Sequence, residues 1–182
     1  PVGGDTLVEM MHGTADIEYC EDSSVQFVDM PLGDGTFRVS LILPKDPSWP
    51  MSDSASPNAK RLEAWLRSTE ATTVNMTLPP LKSSNLVELN SILGDIGITE
   101  IFSQSSSDWY PLADSSRSYI GILSEGTRAE FSHDGFNFIA TKPAAPEEIA
   151  GSADMVMERP FFYVIRDELT GLIVAMGRII RP

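Results

Sequence analysis

The sequence predicts a mixed fold in which strands dominate and a few helices accompany them. Short segments rich in β-branched and aromatic residues recur along the chain and are separated by glycine, proline and serine. Helical spacing of apolar residues is confined to two stretches, residues 58–67 and 86–93. At 182 residues and 42% hydrophobic, the chain is long enough to build one ordinary core.

Three strands are predicted in the first part of the chain, at residues 16–19, 25–30 and 37–43. Each carries the β-branched and aromatic residues that favour a pleated surface. Gly33-Asp34-Gly35 lies between the last two, and this composition is typical of a hairpin turn. We therefore expect the second and third strands to pair directly.

The first helix is predicted to begin at Asn58 and to run to about residue 67. Asparagine is a favoured N-cap, because its side chain accepts a hydrogen bond from the first turn. Leu62, Trp65 and Leu66 then share one face. This face is expected to pack on a sheet.

A strand at residues 74–78 and a second helix are predicted next. Pro79-Pro80 ends the strand pattern. Asn85 is a suitable N-cap for a helix over residues 86–93, and Gly94 and Gly97 mark its end.

The last third of the chain combines a long strand, a long loop and a hairpin. The strand is predicted at residues 119–131, and residues 135–158 lack periodicity and predict an exposed loop. A structureless segment of this length in a compact domain is either a wrong assignment or a functional loop. Residues 160–165 and 172–179 are apolar on both faces and predict a buried strand pair joined by a turn at residues 167–171.

Composition and charge argue against several functions. The net charge of −13 repels phosphate backbones and anionic lipid, so neither nucleic acid nor a membrane is an expected partner. Two histidines and one cysteine cannot build a common zinc site, and no cofactor motif is present. His12 and Cys20 have nothing to orient them as a catalytic pair, so an enzyme is not expected. Cys20 is expected to be a buried, inert thiol.

Asn75-Met76-Thr77 is an N-glycosylation sequon. It lies within a predicted strand, which argues against modification.

Several segments together resemble the serpin family. Residues 6–12 resemble its V-x-M-M strand, and residues 37–44 resemble its strand ending in I-x-L-P. Further similarities, in chain order, lie at residues 74–102, 130–135, 159–166 and 176–179, the last two resembling the closing R-P-F-x-F-x-I and G-R-I motifs. These segments occur in the family's order and span the chain.

The resemblance implies an α+β, serpin-like fold. The chain would supply most of the mainly antiparallel sheets B and C, the later strands of sheet A and a few helices. Residues 1–182 would then be the C-terminal half of a serpin domain, incomplete without the N-terminal half, because the missing elements would leave strand edges open. The implied partners are that N-terminal half and a serine protease, and the implied location is extracellular.

The resemblance also places a reactive loop at about residues 135–158. With Gly135 as the hinge glycine, the family's spacing puts the reactive bond between Ile149 and Ala150. Counting back from Pro160 gives the same bond, although Glu148–Ile149 stays open as an alternative. Isoleucine before the bond would suit an elastase-like protease, whereas glutamate would suit an acid-preferring one.

The hinge before this bond departs from the family pattern. Seven residues form it: His133, Asp134, Gly135, Phe136, Phe138, Ala140 and Lys142. Phe136 and Phe138 stand where the family prefers small residues, and Lys142 would need burial when the loop inserts into a sheet. Glu125 also stands where many serpins have a histidine.

Three hypotheses follow from the sequence. The first is a serine protease inhibitor whose cleaved loop inserts into sheet A. The second is a non-inhibitory serpin-fold protein, acting as a substrate, carrier or chaperone, which the bulky hinge favours. The third is an unrelated β-rich binding module.

Overall fold

The computed structural model describes residues 10–46, 57–105, 118–131 and 153–181. These residues fall into two compact units. The larger unit is drawn from residues 1–81 and 130–182, and the smaller unit from residues 82–129. Strands dominate both units, as the sequence predicts.

The larger unit contains a seven-stranded sheet and one helix. In chain order its elements are β1 (Met11–Glu21), β2 (Val25–Leu32), β3 (Phe37–Pro44), α1 (Ala59–Ser68), β4 (Glu70–Leu78), β7 (Ala153–Val156), β8 (Phe161–Asp167) and β9 (Ile173–Ile179). The strands lie in the order β7-β4-β1-β2-β3-β8-β9. All neighbours run antiparallel except β4 and β7, which run parallel.

The described part of the smaller unit contains two strands, one short helix and a 3-10 turn. β5 (Leu81–Glu88) pairs with β6 (Ser124–Phe131) as a two-stranded sheet. Between them lie α2 (Asn90–Asp95) and a 3-10 turn, Glu100–Phe102. Gly97 adopts a φ of 92° just after α2, a conformation that glycine tolerates better than other residues.

The hairpin predicted between β2 and β3 is confirmed. Gly33 and Gly35 have φ values of 56° and 88°, which a residue with a Cβ rarely adopts. The Gly35 amide donates to the carbonyl of Leu32 at 2.9 Å, and the Thr36 amide donates to the Asp34 carboxylate at 3.0 Å. These bonds close the turn and fix the register of the pair, with Leu32 opposite Phe37.

The first helix is also confirmed, with its cap. The Arg61 amide donates to Oδ1 of Asn58 at 3.0 Å, so Asn58 satisfies an otherwise unpaired N–H of the first turn. Leu62 and Trp65 are buried against one face of the sheet. The cluster that they join also contains Val25, Phe27, Ile42, Phe162 and Val164.

Two predicted elements differ from the structure. The helix predicted over residues 86–93 is wrong in its first half, because β5 extends to Glu88 and the helix begins at Asn90. The strand predicted over residues 119–131 begins later, at Ser124. The apolar spacing that suggested the longer helix includes Leu86, which belongs to the strand and is 75% exposed.

The C-terminal hairpin forms as predicted, but only one of its strands is buried. β8 is buried at Phe161, Phe162, Tyr163 and Val164. β9 is the edge of the seven-stranded sheet, and its residues are mostly exposed. The expectation that both strands are buried is therefore wrong for β9 within this chain.

Candidate functional site

The residues predicted to carry the chemistry lie outside the described part of the chain. They are His133, Asp134, Gly135, Phe136, Phe138, Ala140 and Lys142 of the hinge, and Ile149 and Ala150 of the reactive bond. Their roles stay predictions. The structure describes the segments that enter and leave the predicted loop, residues 118–131 and 153–181.

The segment leaving the loop begins with β7. This strand lies within the range predicted as a loop, residues 135–158, yet Ala153–Val156 pair in parallel with β4. Met155 is fully buried, and Met157 is buried just after the strand. The Met157 amide donates to the carbonyl of Thr77 at 2.9 Å. The end of the predicted loop is thus fixed to the sheet by both backbone bonds and apolar side chains.

Both the backbone carbonyl and the side-chain carboxylate of Asp154 accept hydrogen bonds. Its carbonyl accepts a hydrogen bond of 2.9 Å from Nε2 of Gln26, which also donates to the hydroxyl of Tyr19 at 3.2 Å. Its carboxylate accepts a bond of 2.8 Å from Nδ2 of Asn75. Asn75 in turn accepts a bond of 2.8 Å from the hydroxyl of Thr14. This row of side chains crosses β1, β4 and β7.

The chain between β7 and β8 is fixed by Arg159. Its Nε donates to the carbonyl of Pro44, the last residue of β3, at 2.7 Å. Phe161, which begins β8, is fully buried. The connection between β7 and β8 is therefore hydrogen-bonded to the C-terminal end of β3.

A buried charged cluster fixes the other end of β8. Asp29 on β2 is 2% exposed, and its carboxylate accepts hydrogen bonds from Arg38, from Ser40 at 2.7 Å and from Arg166 at 2.8 Å. Arg166 also contacts Glu168 at 2.9 Å. The cluster joins three adjacent strands, β2, β3 and β8.

Sequence reasoning missed this cluster. The signal was a single carboxylate, Asp29, in a mostly apolar predicted strand, with one arginine in each of two other predicted strands, which the structure places next to one another on one side of β2. Buried carboxylates need such partners, because an unpaired charge in the interior is expensive. What the sequence could not show was that Arg38 and Arg166 lie opposite each other.

The segment entering the loop is β6, in the smaller unit. The side chain of Asn90, at the start of α2, makes two hydrogen bonds to the backbone just before this strand. Its Nδ2 donates to the carbonyl of Gly121 at 2.9 Å, and its Oδ1 accepts from the amide of Leu123 at 2.8 Å. The Leu89 amide adds a bond of 2.8 Å to the Leu123 carbonyl. Glu125, in the position expected to differ from many serpins, is exposed on β6.

His12 and Cys20 do not form a catalytic pair. They lie eight positions apart on the single strand β1, or roughly 26 Å at the rise of an extended chain. Nδ1 of His12 contacts the hydroxyl of Thr77 at 3.1 Å, whereas the thiol of Cys20 donates to the carbonyl of Trp65 at 3.5 Å. Burial, with the nearby charge of Asp22, raises the pKa of Cys20 to about 11, so the thiol is protonated at neutral pH.

The described residues offer neither a metal site nor a membrane-spanning helix. No group of three or more histidine, cysteine, aspartate or glutamate side chains is arranged to hold a metal ion within the ranges that the structure covers. No helix in those same ranges is long and apolar enough to cross a bilayer.

Mainly antiparallel sheets with few helices, and a long segment bounded by β6 and β7, define the architecture of a serpin-like protein. The chain belongs to the serpin (serine protease inhibitor) family, whose family model matches residues 3–182. The resemblance proposed from the sequence is thereby confirmed, and so is the α+β, serpin-like fold class.

Relatives and a solved structure agree with this assignment. The chain is 25% identical over 192 residues to plasminogen activator inhibitor 1 of Sus scrofa, and 25% identical over 179 residues to ovalbumin of Meleagris gallopavo. These alignments cover 99% and 96% of the chain but 46% of each relative. The crystal structure of native protease nexin-1 with heparin superposes with a TM-score of 0.81 at 21% identity, over 96% of this chain and 48% of that one. The chain therefore spans less than half the length of these proteins.

Proposed function

We propose that the chain is the C-terminal half of a serpin that inhibits serine proteases, with the reactive loop at about residues 135–158. The observation that supports this most strongly is the family match, which runs from residue 3 to residue 182 and so includes the loop. The likeness to plasminogen activator inhibitor 1 over 99% of the chain is consistent with it. The pairing of β7 with β4 supports the placement of the loop's end, because the chain rejoins the sheet at residue 153.

In the proposed reaction the protease acts on the bond between Ile149 and Ala150. The hydroxyl oxygen of the protease serine bonds to the carbonyl carbon of Ile149, and the amide bond to Ala150 breaks. The released nitrogen of Ala150 takes the proton and becomes a new amino terminus, while Ile149 stays attached to the protease as an ester. Isoleucine at this position favours an elastase-like protease with an apolar pocket.

Inhibition then requires the cut loop to insert into sheet A as a new strand. An inserted strand alternates its side chains between two faces. One face would carry Phe136, Phe138, Ala140 and Lys142. Each phenylalanine in a slot shaped for small residues would strain the packing by about 1–3 kcal/mol. Burial of Lys142 without a partner would add several kcal/mol or force it to lose its proton.

The second candidate is a serpin-fold protein that does not inhibit. The same hinge favours it, since slow insertion would let the protease complete hydrolysis and leave. Pro143 and Pro146 add to this, because each lacks the N–H that an inserted strand would donate. The similarity to ovalbumin is compatible with this alternative, although it matches the chain no better than plasminogen activator inhibitor 1 does.

A protease panel separates the two candidates. The full-length protein is mixed with elastase-, chymotrypsin-, subtilisin- and trypsin-like enzymes and run on denaturing gels. A covalent adduct at the combined mass supports the inhibitor, whereas clean cleavage near Ile149 without an adduct supports the non-inhibitory protein. An intact loop with every enzyme would contradict both.

Two matched variants make the panel specific to the proposed bond. Ile149→Arg should move cleavage or adduct formation from the elastase-like to the trypsin-like enzyme. Glu148→Gln should leave the elastase-like reaction unchanged. If Glu148–Ile149 were the reactive bond, the unsubstituted protein would instead react with an acid-preferring protease added to the panel, and Glu148→Gln would abolish that reaction. Amino-terminal sequencing of the released fragment identifies the bond directly.

We further propose that the N-terminal half of the same protein covers β9. This strand is the edge of the seven-stranded sheet, and it and the residue before it expose apolar side chains: Leu172 is 67% exposed, Val174 53% and Met176 55%. Edge strands of this kind are usually paired or covered. The relatives are about twice as long as this chain. The N-terminal half of the full-length protein is therefore the segment available to cover β9.

Sedimentation and hydrogen exchange test this second proposal. Residues 1–182 alone should self-associate or exchange rapidly at β9, and the full-length protein should protect the amides of β9. A lone, monomeric chain with full protection there would contradict it. We also propose that the full-length protein is secreted, as the family implies. Its appearance in the culture medium of expressing cells tests this.

A further inference from the structure

The outer face of β1, β4 and β7 is exposed around Asn75 and carries mostly polar side chains. Asn75 lies in the middle of this face, opposite Thr14 on β1 and Asp154 on β7. Its side chain is exposed, while its neighbours Val74 and Met76 point into the core. The strand position by itself argues against modification. In the structure, however, Asn75 lies on the solvent side of the sheet.

We propose that Asn75 carries an N-linked glycan in the full-length protein. Asn75-Met76-Thr77 is the acceptor sequence. The acceptor chemistry is available only in the secretory pathway, so this inference rests on the secretion proposed above. It does not depend on whether the protein inhibits a protease.

Two hydrogen bonds of Asn75 lie across the outer face of the sheet. Oδ1 accepts from Thr14 at 2.8 Å on one side of β4, and Nδ2 donates to Asp154 at 2.8 Å on the other side. An amide nitrogen carries two hydrogens, so Nδ2 keeps one N–H for Asp154 after a sugar replaces the other.

Glycosylation replaces one hydrogen of Nδ2 with a sugar. A new bond forms between Nδ2 and the anomeric carbon of the sugar, and the bond from that carbon to the pyrophosphate of a lipid-linked oligosaccharide breaks. The lipid pyrophosphate leaves, and Nδ2 gives up one proton. One N–H remains on the glycosylated amide and donates to the Asp154 carboxylate.

The order of synthesis leaves time for the transfer. Asn75 and Asp154 are 79 residues apart, so the β7 side of β4 stays open while that length is made. At about 5–20 residues per second, this interval is roughly 4–16 s. The acceptor can therefore be modified as an extended segment before β7 joins the sheet.

Peptide mapping tests the inference. The full-length protein is expressed in a eukaryotic secretory line behind an appended leader peptide, with an acceptor tag at its C-terminus that reports entry into the lumen. Trypsin releases residues 68–82, in which Asn75 is the single asparagine. Enzymatic removal of glycans in heavy-oxygen water then labels Asn75 as aspartate wherever a glycan was attached.

We expect the majority of copies with a modified tag to carry the label at Asn75. Thr77→Ala should abolish it, Thr77→Ser should retain it, and Asp154→Ala should leave the occupancy unchanged because transfer precedes β7 pairing. A modified tag with an unlabelled peptide 68–82 would overturn the inference. Failure of the protease panel would leave this result unaffected, so the two proposals fail separately.

Discussion

Nη2 of Arg166 lies 2.8 Å from Oδ2 of Asp29, across 137 residues of sequence. Both side chains are almost fully removed from solvent, at 12% and 3% exposure. The contact joins β8, which follows the predicted loop, to β2, which precedes it by about a hundred residues. Removal of one partner from a buried ion pair strands the other charge, and this makes the pair sensitive to single substitutions.

We therefore expect Asp29→Asn to lower the free energy of unfolding by about 3–5 kcal/mol, because it leaves Arg38 and Arg166 without their shared carboxylate. Chemical denaturation measures the change. The matched control is Glu63→Gln, which breaks the exposed Arg67–Glu63 pair on α1 and should change stability by less than about 0.5 kcal/mol. Equal effects of the two substitutions would contradict the importance of the buried cluster.

Gly177 on β9 lies directly against Tyr163 on β8. A Cβ added there would lie 2.6 Å from Cε1 and from the hydroxyl oxygen of that ring. Gly177→Ala should therefore lower the free energy of unfolding by about 1–3 kcal/mol through overpacking. Gly94→Ala is the control, since nothing lies within 4 Å of the added atom and alanine favours the helix. Tyr163→Leu should relieve much of the Gly177→Ala penalty; without such relief the clash is not the cause.

Asp22 ties the start of β2 to α1. Its carboxylate accepts from the amides of Ser24 at 2.6 Å and Val25 at 2.9 Å, and from Nε1 of Trp65 at 3.1 Å. Burial alone would raise the pKa of Asp22, but these hydrogen bonds outweigh it and lower the pKa below its usual 3.8. The carboxylate therefore contributes stability above pH 3.8, and the contribution is lost as the pH falls through the lowered pKa.

The substitution Asp22→Asn tests this. At neutral pH it should lower the free energy of unfolding by about 0.5–1.5 kcal/mol, the net value of typical hydrogen bonds. The difference from wild type should shrink as the pH falls below about 4, because the wild-type carboxyl then becomes neutral too. A difference that stays constant from pH 7 to pH 3 would contradict the role of the charge.

Cys20 should react slowly with alkylating reagents. Its pKa of about 11, against an ordinary 9.0, lowers the thiolate fraction at pH 8 about 100-fold relative to an unperturbed thiol. Iodoacetamide labelling followed by mass spectrometry of the Cys20 peptide should show this difference between native and denatured protein. Since folding favours the protonated thiol, stability from this group declines as the pH rises above about 9. Native labelling at the denatured rate would contradict it.

The local sequence was sufficient for the elements whose signals are local. The β2–β3 hairpin follows from Gly33 and Gly35, whose positive φ angles only glycine adopts without strain, and α1 follows from the Asn58 cap and its apolar face. The family and its α+β fold followed from motifs in the right order. These predictions are correct because each signal depends on residues within a few positions of one another.

Tertiary structure decided the rest. Residues 86–88 have an acceptable helical spacing, yet their backbone pairs with β6, since strand pairing with a distant segment overrides a weak local preference. Asn90 finds its partners about 30 residues away, Asn75 finds Asp154 at 79, and Asp29 finds Arg166 at 137. Polar residues such as these give no periodic signal of their own. Their partners are set by strand order and register, which exist only once the sheet has formed.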